Sequence, residues 1–147
     1  MRTTVEGVIG LLGVGLSLAI CLLALAFIVV YLFARVKFFK KCGKVGWYAI
    51  IPFYGTYIEY TEIAGLHWAW AAACIAVNVL SISNATVRVL RLFVSAMSFY
   101  NIGLRGRKDP IPTMIFGALF PEVMTIIHGF GDYAYDGSIP VKLSGLF

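Results

Sequence analysis

Long apolar runs separated by short basic loops set the pattern of this chain. The first run extends from Gly7 to Ala34. At 1.5 Å per residue it would reach ~42 Å, longer than the ~30 Å hydrocarbon core of a bilayer. It is also too long for the apolar stretch of a signal peptide. The small-residue tripeptide Ala24-Leu25-Ala26 is followed by more apolar chain, Phe27 to Phe33, so an uncleaved anchor is expected. Later runs predict spans over about 66–81, 85–104 and 111–130, with the polar turn Ser81-Ile82-Ser83-Asn84 between the second and third. The expected fold is an all-α integral membrane protein, with four transmembrane helices in one domain over 1–147.

The loops orient these spans. Arg35, Lys37, Lys40, Lys41 and Lys44 fall within ten positions that hold no acid, and Arg105, Arg107 and Lys108 form a second cluster before Pro110. Basic loops stay on the cytoplasmic side, so an even number of crossings separates the clusters and both termini are expected outside. Glu6, Asp132 and Asp136 then fall on the outer side.

Between the first basic loop and the second span lies GWYAIIPFYGTYIEYTEIAG, residues 46–65, with Trp47, Tyr48, Phe53, Tyr54, Tyr57 and Tyr60. Tyr and Trp concentrate at membrane interfaces, where an apolar ring and a polar end are both satisfied. Pro52 suits the first turn of a helix. Gly55, Glu59 and Glu62 share one narrow face of that helix, with aromatic and aliphatic residues around the rest. An interfacial helix in the cytoplasmic headgroup layer is expected, its acids toward water or the basic loop. A re-entrant hairpin is the alternative. Trp47, Pro52, Tyr54, Tyr57, Glu59 and Glu62 are the candidate partner-binding residues.

Composition agrees with the bilayer as solvent. Apolar residues make up 61% of the 147 and charged residues 13%, against about 45–50% and about 25% for soluble domains. The net charge of +5 does not point to nucleic acid, because the basic residues sit between apolar runs rather than on a soluble scaffold. Cys21, Cys42 and Cys74 are widely separated and have neither zinc-site nor disulfide-framework spacing.

Polar positions inside the spans are the main candidates for function. Gly13, Ser17 and Cys21 form one row of small residues, and Ala69, Ala73 and Val77 another; such rows let helices pack closely. Asn84, Arg88, Arg91, Ser95 and Ser98 share one face of the third span. Arg costs ~2.5–3.5 kcal/mol at the centre of a span and less near its ends, where it snorkels. In the fourth span Ala118, Glu122, Thr125, Gly129 and Asp132 form a second row, and Pro121 predicts a kink by leaving the Gly117 carbonyl without its partner. The third and fourth spans are expected to face each other through Arg91 and Glu122. Arg88, Arg91, Glu122 and Ser95 are thus a candidate polar pair or pathway. His67 and His128 are expected near opposite surfaces, which argues against a shared metal site.

Catalytic patterns are missing from the sequence. It contains no H-E-x-x-H, its aspartates lie in loops or at span ends, and Ser95 and Ser98 have no His on a neighbouring turn. Gly7, Gly10, Gly13 and Gly15 follow no strand, so they are not a phosphate loop. The expectation is a non-enzyme without cofactor or metal.

The segment KKCGKVGWYAIIPFYGTY, followed by IAGLHWAW, resembles a family of small bacterial membrane proteins with the pattern G-K-x-G-W-x-A-x-I-P-x-Y-N-x-Y. The matching positions are Gly43, Lys44, Gly46, Trp47, Ala49, Ile51, Pro52, Tyr54 and Tyr57, with Trp68 beyond. Pro121, Gly129-Phe130-Gly131 and Tyr133 or Tyr135 resemble its C-terminal elements, whereas Gly55 stands where the family usually has Asn. The resemblance implies a multi-pass protein of the bacterial cytoplasmic membrane, without an assigned biochemical role. Association of some members with signal peptidase type I implies a link to export, but this chain carries no signal-peptidase domain. Two functions are expected to compete: an accessory or scaffold subunit of a cell-envelope complex, or a small oligomeric channel or transporter using the Arg and Glu residues. The partners in either case are lipid and other membrane proteins or copies of the chain, not nucleic acid.

Overall fold

A computed structural model describes residues 2–81 and 85–141. The expected turn beyond Ser81 (Ile82, Ser83 and Asn84) lies outside the described residues. All regular structure among the described residues is helical. Helix α1 spans Arg2–Lys41, and a 3-10 turn follows at Gly46–Ala49. Helix α2, Tyr54–Ile58, runs directly into a π-helical turn, Glu59–Ile63. Helices α3, Trp68–Leu80, and α4, Ala85–Arg105, come next, followed by α5, Pro110–Leu119, and α6, Pro121–Phe130.

The chain divides into two units, Met1–Val30 and Tyr31–Phe147. In the first, every side chain from Gly10 to Val30 is exposed. This stretch is almost wholly apolar, so lipid or another apolar surface must cover it. The second unit holds the core, where Phe38, Phe39, Ile58, Ile63 and Ile102 are all but completely buried.

Two helices among the described residues are long and apolar enough to cross a membrane, Gly10–Lys41 and Thr86–Arg105. Trp68–Leu80 and Pro110–Leu119 are apolar but shorter. The expected count of four full-length spans is therefore not reached. The largest departure is at 111–130, where a single kinked span was expected. Helix α5 stops at Leu119, Phe120 takes an extended conformation (φ −136°, ψ 65°), and α6 restarts with Pro121 as its first residue. Pro121 has no N–H to offer the preceding turn, so a break there costs little.

The break reverses the chain. Gly103 packs on Thr113 and Phe99 on Gly117, so α5 runs back along α4. Arg91 then meets Glu122, the Phe99 and His128 rings lie 6.3 Å apart, and the Tyr133 hydroxyl donates to the Ile102 carbonyl at 2.8 Å. Helix α6 thus retraces the level of α4 in the opposite direction to α5, and the two form a hairpin. Residues 132–136 consequently lie beside Arg105–Lys108, not at the far end that the outside placement of both termini, Asp132 and Asp136 required. His128 shifts with them, and His67, which caps α3 next to Gly65, lies at the same end; the two are not near opposite surfaces.

The segment 46–65 also folds as a hairpin, which is the alternative to a helix lying flat. Its turn is Ile50 to Phe53, where Phe53 takes a left-handed φ of 62°. The returning leg packs on the first, with Gly55 against the Tyr48 carbonyl. Ile58, Tyr60 and Ile63 point into the core, while Ile51, Phe53, Tyr54 and Tyr57 are exposed.

Helix α6 approaches the end of α1 at backbone distance. A β-carbon on Gly129 would lie 2.2 Å from the Ala34 carbonyl oxygen, and Ala34 has no exposed surface. Backbone cannot yield as a side chain does, so Gly129→Ala is expected to lower stability by about 1–3 kcal/mol, the usual cost of overpacking. Thermal unfolding in detergent checks this, and an unchanged transition would show that the contact is loose.

Candidate functional site

Polar side chains from five elements meet along the inside of the second unit. Arg35 of α1 donates to Glu59 Oε2 at 3.0 Å, with side-chain exposures of only 16% and 13%. Arg91 of α4 donates to Glu122 Oε1 of α6 at 3.2 Å, with exposures of 40% and 44%. Tyr31 sits within electrostatic reach of both ion pairs. The buried Tyr60 shares hydrogen bonds with Cys74 and Ser95, and Asn78 Nδ2 donates to the Cys74 carbonyl at 2.9 Å. Ser98 and Asn101 continue the buried face of α4.

The π-helical turn places two of these groups. Its signature is the bond from Ala64 N–H to the Glu59 carbonyl, 2.8 Å. The extra residue rotates the helix so that Glu59 faces Arg35 while Tyr60 faces Ser95; such bulges recur at functional sites. Among the sequence candidates, Arg91 and Glu122 come together, whereas Arg88 is exposed and Ser95 is buried against Tyr60. Glu59 and Glu62 both pair with cations of the basic loop, one of the two directions expected for them. Glu59 turns into the protein, and Glu62 pairs with Lys44 of the basic loop. Trp47, Pro52, Tyr54 and Tyr57 are exposed, with the Tyr54 and Tyr57 rings stacked 6.4 Å apart. Glu59 is covered with Arg35, Glu62 and Lys44 stay partly exposed, and the aromatic face turns outward.

A second cluster closes the basic end. Arg105 Nη1 donates to the Glu62 and Ile63 carbonyls at 3.1 and 2.8 Å. Tyr135 Oη accepts from the same nitrogen at 3.2 Å and donates to the Glu62 carbonyl at 3.1 Å. These carbonyls end the π-helical turn and have no helical partner of their own. Gly65 follows with φ +68°, and a β-carbon there would lie 2.6 Å from the Arg105 guanidinium, so the position requires glycine twice over. Lys41 Nζ caps α6 in the same manner, donating to the His128 and Gly131 carbonyls. Asp136 N–H donates to the Arg105 carbonyl at 2.7 Å, and Arg107 donates to the Asp136 carboxylate at 2.9 Å.

Burial pushes the Cys42 thiol up to about 12 and raises the Tyr133 and Tyr135 hydroxyls, which suits packing and hydrogen bonding rather than acid–base chemistry. No group of three or more His, Cys, Asp or Glu side chains able to hold a metal ion occurs among the described residues. The functional residues that sequence reasoning missed are Lys41, Arg105 and Tyr135 as caps, and Tyr31 and Tyr60 as interior polar groups. Gly65, after an acidic aromatic segment, was the one local signal of a helix end. Nothing local named the cation that covers it.

No protein-family model, curated protein or solved structure matches the chain.

Two outcomes follow from this geometry. Removing one partner of a buried pair strands the other, so Glu59→Gln is expected to cost about 3–5 kcal/mol. Glu122→Gln, at a half-exposed pair, should cost about 1 kcal/mol or less. Unfolding of the two variants side by side measures the difference, and equal losses would refute the ranking. Asp136 is held from 3.8 down to about 2 by its hydrogen bonds from Ser138 and Arg107. A depressed carboxylate stabilises fully above its unfolded value and loses that contribution as pH falls through its folded value. Protection of the Asp136 amide from hydrogen exchange should therefore fall between pH 3.8 and about 2, and Asp136→Asn should remove the acid step.

Proposed function

We propose that the chain is a non-enzymatic, multi-pass protein of a bacterial cytoplasmic membrane that serves as an accessory or scaffold subunit of a cell-envelope complex. In this reading α1, α3 and α4 cross the bilayer, and both hairpins enter and leave on the cytoplasmic side, where the basic loops lie. The start of α1 is outside and residues 132–136 are inside. Helix α3, at ~20 Å, is shorter than the hydrocarbon core, and local thinning of the bilayer accommodates it. The link to export rests on the resemblance of the aromatic segment alone.

The observation that carries the proposal is where the charges go. Arg35, Arg91 and Lys44 are each taken up by an acid of the same chain, and Arg105 and Lys41 by helix-end carbonyls. Meanwhile the outer surface offers Leu11 to Val30 and the aromatic hairpin tip. Charges paired within the chain support a structural role. A transport pathway needs polar groups that face water.

Affinity purification in mild detergent, with cross-linking and mass spectrometry, tests the proposal. A stoichiometric membrane partner is the expected result. A homo-oligomer alone, together with liposome flux that Arg91→Ala or Glu122→Ala abolishes, would overturn it in favour of the channel or transporter.

A further inference from the structure

Two cavities at the basic end share one wall. The larger, about 410 Å³, is lined by Gly106, Arg107, Lys108, Asp132, Tyr133 and Ala134. The other, about 270 Å³, lies between the legs of the α5–α6 hairpin and is lined by Lys108 and Asp132 again, with Thr113, Met124, Ile127 and His128. The first cavity presents Arg107, Lys108 and Asp132 beside Tyr133 and Ala134, and the second adds the apolar side chains of Met124 and Ile127 to the same Lys108 and Asp132. An amphiphile has that combination.

The charges on the shared wall narrow the choice. Among the described residues, neither Lys108 nor Asp132 has an ion-pair partner within 4.0 Å, although both line both cavities. Arg107 stands at the mouth with a left-handed φ of 51°, a conformation costly for any residue but glycine. Its guanidinium spends one amino group on Asp136 and is 70% exposed, so further donors remain open. Inside the second cavity His128 is 4% exposed, and its Nδ1 has no hydrogen-bond partner. Opposite charges without an ion-pair partner on one wall match a zwitterion better than an anion. A purely anionic headgroup would set its phosphate beside an uncompensated Asp132.

Resting on the membrane reading above, we infer that this pair of cavities binds a phospholipid with a primary-amine headgroup, phosphatidylethanolamine in chemical class. Lys108 and Arg107 hold the phosphate, Asp132 accepts from the ammonium, and an acyl chain follows Met124 and Ile127 between the hairpin legs. Quaternary methylation of the amine removes the N–H donors that Asp132 needs, so phosphatidylcholine binds less well.

Native mass spectrometry of the full chain in mild detergent tests this, with phosphatidylethanolamine, phosphatidylcholine and phosphatidylglycerol added at equal concentration. Preferential retention of phosphatidylethanolamine is expected. Asp132→Asn and Lys108→Gln should each reduce it about tenfold, the scale of one hydrogen bond to a charged group. Both side chains are exposed, and unchanged thermal unfolding of the variants verifies that the fold is intact. Equal retention of the three lipids, or full retention by Asp132→Asn, overturns the inference. So does displacement of the lipid by soluble phosphoethanolamine alone, which would make the site one for a free headgroup. Flotation with vesicles separates the two levels: a wild-type chain that floats with no vesicle refutes the membrane reading, whereas flotation without lipid preference refutes only the site.

Discussion

Helix ends that stop inside the protein need donors, and the second unit is organised around supplying them. Both hairpins return to the basic end and terminate there with carbonyls that no further turn can satisfy. In each case the donor is the last-turn cation of a long neighbouring helix: Arg105 of α4 covers the Glu62 and Ile63 carbonyls, and Lys41 of α1 covers His128 and Gly131. A cation at a helix C-terminus also meets the negative end of the macrodipole. In the proposed membrane reading, the basic clusters that would orient the chain also fasten its hairpins.

Once the ends are fastened, the legs can come close. The α6 backbone lies on Ala34 at Gly129, and Gly65 lies under the Arg105 guanidinium. These contacts bring the interior polar groups into register. Glu59 reaches Arg35 because the π-helical turn rotates it inward, and Glu122 reaches Arg91 because α6 begins at the level of that residue. With these acids paired within the chain, aliphatic and aromatic side chains make up most of the outer surface. That outward face is what an accessory membrane subunit would present to its partners.

The basic end holds charges that stand outside this internal pairing. Lys108 and Asp132 stand on one cavity wall without ion-pair partners among the described residues. In the proposed reading, their place on a wall common to two cavities is where a ligand with both signs of charge binds. Its place beside the fastened hairpin ends would couple lipid binding to the packing of α5 and α6.

What the sequence determined by itself was local. An apolar first helix, the span of α4 and the helical character of the described residues followed from apolar runs, whereas α1 runs past both ends of its apolar stretch, and the basic loops followed from clustered Lys and Arg. The single-face spacing of Arg91 and Glu122 made both candidates for one pair. What it left undecided was direction. Pro121 signals an interruption whether the chain kinks onward or turns back, because the missing N–H is the same in both cases. Only the packing of α6 against Phe38, Phe99 and Ala34 decided for return. Likewise Pro52 and the aromatic segment favoured an interfacial helix, with a hairpin as the alternative. The choice depended on contacts outside the local pattern: Arg35 draws Glu59 inward, and Arg105, about forty residues on, covers the carbonyl end of that segment. Periodicity records which face of a helix is polar, but where that face points is settled by the partners that tertiary structure brings to it.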